Sequence, residues 1–174
     1  MTKLNSSKSA YIVSDIHTGS ITAVCSPNPK VQEKGENYEP NKLQKELYRI
    51  WCEAIEDLSK KPDVCVVNGE PVDGANKKQG GNQSWSTSLY DQAIDSVKLL
   101  KKVNSPKFVF VRGSGYHVQI DGTPIESFIS ELMGGMEYSA LSGIKSNSWY
   151  WANLNLNDKV FSFTHHLPYA KFFA

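Results

Sequence analysis

Three short apolar runs constrain this chain more than any other feature: Ala10 to Ser14 (AYIVS), Asp63 to Asn68 (DVCVVN) and Lys107 to Val111 (KFVFV). Each is rich in β-branched or aromatic residues, is too short for a helix, and breaks off at a polar turn, so each reads as a buried strand. The stretches between them carry apolar residues at helical spacing. Asn41 with Gln44 forms a capping box ahead of Leu43, Leu47, Ile50, Trp51, Ala54 and Leu58, and Pro62 lies past the end of that helix. Leu89, Ala93, Val97 and Leu100 mark a second helix. Thr123, Pro124 and a boxed Glu126 start a third, with Ile125, Phe128, Ile129, Leu132 and Met133 facing inward and Gly134-Gly135 ending it. Trp149 to Leu156 and Lys159 to Phe163 flank the turn-forming pair Asn157-Asp158, which predicts an antiparallel hairpin. Strands alternating with helices imply a mainly parallel α/β sheet, and the hairpin adds a second, antiparallel layer. Two segments lack any period and are expected as loops: Ser20 to Pro40, and the exposed Gly-, Gln- and Asn-rich Lys77 to Ser86.

The 174 residues suffice for a single domain, 1–174, with a real core. A chain that is 40% hydrophobic and 21% charged is expected to be globular rather than disordered. With 19 basic against 18 acidic residues, net charge gives no case for bulk nucleic-acid or membrane binding. Lys101-Lys102 reads as a solvated helix end. Cys25, Cys52 and Cys65 show no CxxC spacing, which argues against a disulfide framework or zinc ribbon. Neither a signal peptide nor a membrane-spanning run is apparent, so a reducing, cytoplasmic setting is expected.

The chemistry is expected where the strands end. Asp15 and His17 follow the first run, Glu70 and Asp73 the second, Ser114 and His117 the third, and His165 with His166 the last strand. Ligands of open α/β sheets bind beyond the carboxyl ends of the strands, so these residues should converge on one edge. Carboxylate with imidazole suits Mn, Fe, Zn or Ni. Two such ions about 3.5–4 Å apart can grip a phosphate and activate a shared water.

The pattern resembles the calcineurin-like metallophosphoesterases. Asp15-Ile-His17 matches their first block. Gly69-Glu70-Pro-Val-Asp73-Gly74 resembles the second, usually Gly-Asp-x-x-Asp-Gly. Gly113-Ser-Gly-Tyr-His117 resembles a lengthened third, and Thr164-His165-His166-Leu-Pro168 a fourth. The resemblance implies a layered β-sheet sandwich flanked by helices and two divalent metal ions. It implies Asp15, His17, Glu70, Ser114 and His165 as ligands, Glu70 standing at the bridging aspartate and Ser114 at an asparagine. His117 would be the general acid. His166 is expected to point away along the strand. The implied reaction is phosphoester hydrolysis, of a mono- or diester, by a hydroxide held between the metals. The substrate would be a phosphorylated small molecule or a nucleic acid.

The sequence departs from the pattern at Glu70 and Ser114 and lacks the family's final Gly-His-x-His block. It is therefore either truncated before that block or a degenerate relative, and the rival reading is a catalytically inactive binding or assembly module. Five nearby residues carry a plainer reading beside a functional one. Asp73 is read as stiffening its turn, Trp149, Tyr150 and Trp151 as packing rather than stacking on a base, and Arg112 as either a phosphate ligand or a solvated strand-end charge.

Overall fold

The computed structural model describes residues 7–58, 60–75, 80–114, 119–120, 123–139 and 143–166. In chain order the elements are β1 (Ala10–Val13), β2 (Lys30–Val31), a 3-10 turn (Gln32–Lys34), β3 (Glu36–Asn37), α1 (Lys42–Glu56), β4 (Val64–Asn68), α2 (Leu89–Lys101) and β5 (Phe108–Val111). There follow β6 (Gln119–Ile120), β7 (Thr123–Pro124), α3 (Ile125–Met133), β8 (Tyr138–Ser139), β9 (Lys145–Ser146), β10 (Ser148–Trp149), β11 (Ala152–Leu156) and β12 (Lys159–Phe163).

The three apolar runs, joined by β10 beside β5, form one four-stranded parallel sheet in the order β1-β4-β5-β10. Val13 pairs with Val67, Val67 with Phe110, and Val111 with both Asn68 and Trp149. The strands therefore run out at nearly one level, and the turns that follow them share one edge. Side chains alternate across a strand, and both faces of β4 and β5 are covered, while Ile12 on the edge strand β1 stays exposed. Cys65, Val67, Phe108 and Phe110 pack with Ala93, Val97 and Leu100 of α2 and Ile125 and Ile129 of α3. Val64, Val66, Val109 and Val111 pack on Tyr138 and on Ala152, Leu154 and Leu156 of β11. The fold is mixed α/β, with three α-helices among the described residues. None of these helices is long and apolar enough to cross a membrane.

The hairpin turns at Asn157 and Asp158, whose φ values of 50° and 63° are the left-handed pair a tight type I′ turn requires. It starts at Ala152 rather than Trp149, because Trp149 is taken into the parallel sheet beside Val111. Helix α1 has both expected capping-box bonds, each 3.0 Å, between Asn41 and Gln44. Its inner face differs from the expected one, since Leu43 and Ile50 are 48% and 47% exposed while Tyr48, Trp51 and Ile55 pack inward. The buried Gln44 sets that rotation, donating to Ser20 O at 3.1 Å and accepting from Tyr38 Oη at 2.8 Å. At α3 the expected side-chain cap does not form. Pro124 occupies the cap position, Thr123 and Pro124 pair with Gln119–Ile120, and Glu126 turns into the core.

The two expected loops are tied down by α2. Asp95 accepts from the Ser26 amide at 2.9 Å and from its hydroxyl, and Asp91 accepts from the Gln32 amide at 3.2 Å. Ser20 to Pro40 thus carries the β2–β3 pair and lies on the helix rather than remaining a plain loop. Within Lys77–Ser86, residues 77–79 lie outside the described residues, but Trp85 and Ser86 are buried instead of exposed. Fully buried Gln92 donates to Gly74 O at 2.9 Å and Ser86 O at 2.7 Å and accepts from Gly74 N at 2.9 Å. These bonds fix the turns that carry Asp15 to Asp73 before any side-chain chemistry is considered.

Candidate metal centre

The turns after β1 and β4 zip together through their backbones. Asp15, His17 and Thr18 donate to the carbonyls of Gly69, Glu70 and Pro71 at 3.2, 3.1 and 3.2 Å, and Asp73 N donates back to Thr18 O at 3.0 Å. This ladder forces Asp15, His17 and Glu70 into the left-handed region, with φ of 56°, 49° and 50°. Such conformations cost non-glycine residues of the order of 1–3 kcal/mol each and gather at functional sites. The result here is that three side chains from two turns converge.

Glu70, 6% exposed, lies between two imidazoles. Its Oε2 is 3.0 Å from His17 Nε2 and its Oε1 is 3.4 Å from His165 Nε2. Asp15 Oδ1 sits 3.7 Å from His17 Nε2 and 3.8 Å from His165 Nε2. Two groups have ligand atoms all within 4.8 Å of one another: Asp15, His17 and Glu70, and Glu70, His165 and His166. Glu70 belongs to both.

The far nitrogen of each imidazole is also engaged. His165 Nδ1 lies 2.8 Å from Asn68 O, a carbonyl that can only accept, so Nδ1 carries the proton and Nε2 faces the carboxylates. His17 Nδ1 faces Asp73 Oδ1 at 3.4 Å. That contact with Asp73 is the largest influence raising the His17 pKa; burial opposes it, and the charges of Glu70, Asp73 and Asp15 add to the rise. A carboxylate or carbonyl behind a histidine, fixing its tautomer, is the usual support of a metal-bound imidazole. These groups, so supported, could hold a metal ion.

Two glycines make the close approach possible. A Cβ on Gly69, whose φ is +84°, would lie 2.4 Å from His165 Cγ. One on Gly113 would lie 2.6 Å from Glu70 Cγ.

Of the residues singled out from sequence, Asp15, His17, Glu70 and His165 come together. Ser114 reaches the site as a donor to Glu70 Oε1, by hydroxyl at 2.5 Å and amide at 3.3 Å. His166 joins Glu70 and His165 rather than pointing away, because the strand ends at Phe163 and alternation no longer applies beyond it. Thr164 Oγ1 closes that turn on His166 O at 2.9 Å, and the two histidine rings meet edge-on at 4.6 Å. His117 lies outside the described residues. Arg112 is not plainly solvated: its Nε donates to Ser148 Oγ at 2.9 Å, and its guanidinium lies 5.2 and 5.5 Å from the Trp149 and Tyr150 rings. Trp149 packs, donating to Tyr138 O at 2.8 Å, whereas Tyr150 and Trp151 are 53% and 46% exposed. Lys101 and Lys102 are exposed, as expected of a solvated helix end, and Lys102 also leans over the Tyr48 ring at 5.4 Å.

Sequence reasoning missed three contributors. Ser14 bonds Asp15 and also Asn68 O, the latter at 2.8 Å. Asn68 works through its backbone carbonyl, which no residue type announces. Glu126 reads as a capping residue yet is 0% exposed, with Oε1 2.7 Å from Gly113 N.

Burial pushes the Glu126 carboxyl up to about 7, against the pull of the Gly113 and Glu126 amides and Arg112 and with a further push from Glu70. The folded chain thus keeps this proton to higher pH than the unfolded chain, where the group titrates near 4.5. Stability from this group falls as pH rises between those values, by roughly 3 kcal/mol in total. Denaturant titrations across that window should show the decline in the wild type and a flatter profile in Glu126→Gln; equal profiles would contradict the assignment.

Compared with protein-family models, with curated proteins and with solved structures, the chain matches none.

Proposed function

We propose that this chain is a metal-dependent phosphoester hydrolase of the calcineurin-like metallophosphoesterase type. The observation that carries the reading is Glu70, which is shared by two adjoining carboxylate–imidazole groups at the carboxyl edge of a parallel sheet. The sequence blocks around Asp15, Gly69 and Thr164 support it, and so does the hairpin layer, read as part of a second sheet of a sandwich.

Asp15 and His17 would hold one ion, His165 and His166 the other, with Glu70 common to both. Divalent ions bound there would supply positive charge opposite a phosphate and lower the pKa of a water. The chain's own residues do the rest. Asn68 O and Asp73 keep the imidazoles aimed, through Nδ1. Ser114 holds Glu70 Oε1 so that the carboxylate keeps its orientation. His117 would give the departing oxygen its proton. The substrate class is a phosphorylated small molecule or a nucleic acid, hydrolysed without a membrane.

The test is turnover of an aryl phosphomonoester and an aryl phosphodiester with added Mn²⁺. Chelation should abolish it, and His165→Ala should lower it by about 100-fold or more. Turnover that survives chelation contradicts the reading. Tight Mn²⁺ binding without turnover of any phosphoester favours the rival, an inactive module that keeps the metal site.

A further inference from the structure

We infer that Glu126 is a positioning residue for the metal centre, fixing the carboxylate of Glu70 through Gly113 and Ser114. The inference rests on the metal reading above and adds a residue to it.

Glu126 stands on the first turn of α3, fully buried, where an apolar side chain would avoid the cost of desolvating a carboxyl. A capping box does not account for it, because the cap residue is Pro124, which has no amide proton for Glu126 to accept. Its Oε1 accepts from Gly113 N at 2.7 Å. The next residue, Ser114, turns the other way, and its amide and hydroxyl both point at Glu70 Oε1. One peptide segment is therefore gripped by Glu126 from behind and grips Glu70 in front. The grip is close: the position a Cβ would take on Gly113 is 2.6 Å from Glu70 Cγ, 2.7 Å from Glu70 N and 3.4 Å from Glu126 Oε1. Moving Gly113 by even a fraction of an ångström moves the carboxylate common to both ligand groups. Glu126 Oε2 has no hydrogen-bond partner among the described residues, so the one bond to Gly113 carries the link to the site.

Outer partners of this kind typically govern metal affinity by about 10–100-fold. The experiment is calorimetric titration of Mn²⁺ into the full chain and its variants, with thermal unfolding of the same samples. Glu126→Gln keeps an acceptor for Gly113 and should bind Mn²⁺ close to wild type. Glu126→Leu removes the acceptor and should weaken binding by about 10-fold or more, with melting temperature kept or raised near pH 8 because a buried carboxyl is gone. A merely structural role would not separate affinity from stability in this way. Wild-type affinity in Glu126→Leu overturns the inference while leaving the metal reading intact; no Mn²⁺ binding by the wild type overturns both. If Glu126→Leu does not fold, Ser114→Ala and Glu126→Gln decide: the inference requires affinity lost in the first and kept in the second, and any other pattern overturns it.

Discussion

Replacing Glu70 with glutamine should strip both ligand groups at once, lowering Mn²⁺ affinity by about two to three orders of magnitude. That is the lower part of the scale set by the cost of about 3–5 kcal/mol when one member of a buried charged cluster is removed, at about 1.4 kcal/mol per tenfold. The effect is large because each Glu70 oxygen serves a different imidazole, Oε2 toward His17 and Oε1 toward His165. His166→Ala provides the contrast. It touches only the group that contains His165 and Glu70, so it should remove one ion and leave the Asp15–His17 ion in place. Calorimetry on both variants separates the cases: a Glu70→Gln chain that keeps one tight site would contradict a shared carboxylate.

Gly69→Ala is expected to have the largest effect on the folded site. Two costs add: a φ of +84°, which an alanine resists, and a Cβ placed 2.4 Å from the His165 ring. Together they should destabilise the chain by about 2–4 kcal/mol, and the ring must move off the site or the turn must open. Gly143→Ala separates the two costs, since Gly143 has a similar φ of +79° but nothing within 4 Å of its Cβ position. Denaturant unfolding of both variants should show Gly69→Ala well below Gly143→Ala. Equal losses would mean that His165 does not rest on Gly69.

The sheet was legible because its signal is local. Buried strands such as Asp63 to Asn68 are continuous apolar runs, and both faces of β4 and β5 prove to be covered. The convergence of Asp15, His17 and Glu70 followed from strand ends, since parallel strands in register must release their turns on one edge, whereas His165 arrives from β12 of the antiparallel hairpin, outside that sheet. What the sequence concealed depends on competition between distant groups. Gln44 looks like half of a capping box, and it is, but its amide also reaches Ser20 O and so sets which face of α1 turns inward. Glu126 looks like the same motif at α3; there the partner is Gly113 from another turn, and the cap is left empty. His166 was misjudged because strand periodicity was carried past the point where the strand ends. Asn68 was invisible in principle, since its contribution to His165 is a carbonyl that every residue possesses.

The measurement that bears most directly on the central claim is the metal content of the purified chain by elemental analysis, after equilibration with Mn²⁺ and removal of the unbound ion. The proposed two-ion reading predicts close to two ions per chain in the wild type, about one in His166→Ala and none in Glu70→Gln. A wild-type chain that retains no metal would contradict it, because the converging carboxylates and imidazoles would then be a polar cluster held together by hydrogen bonds alone.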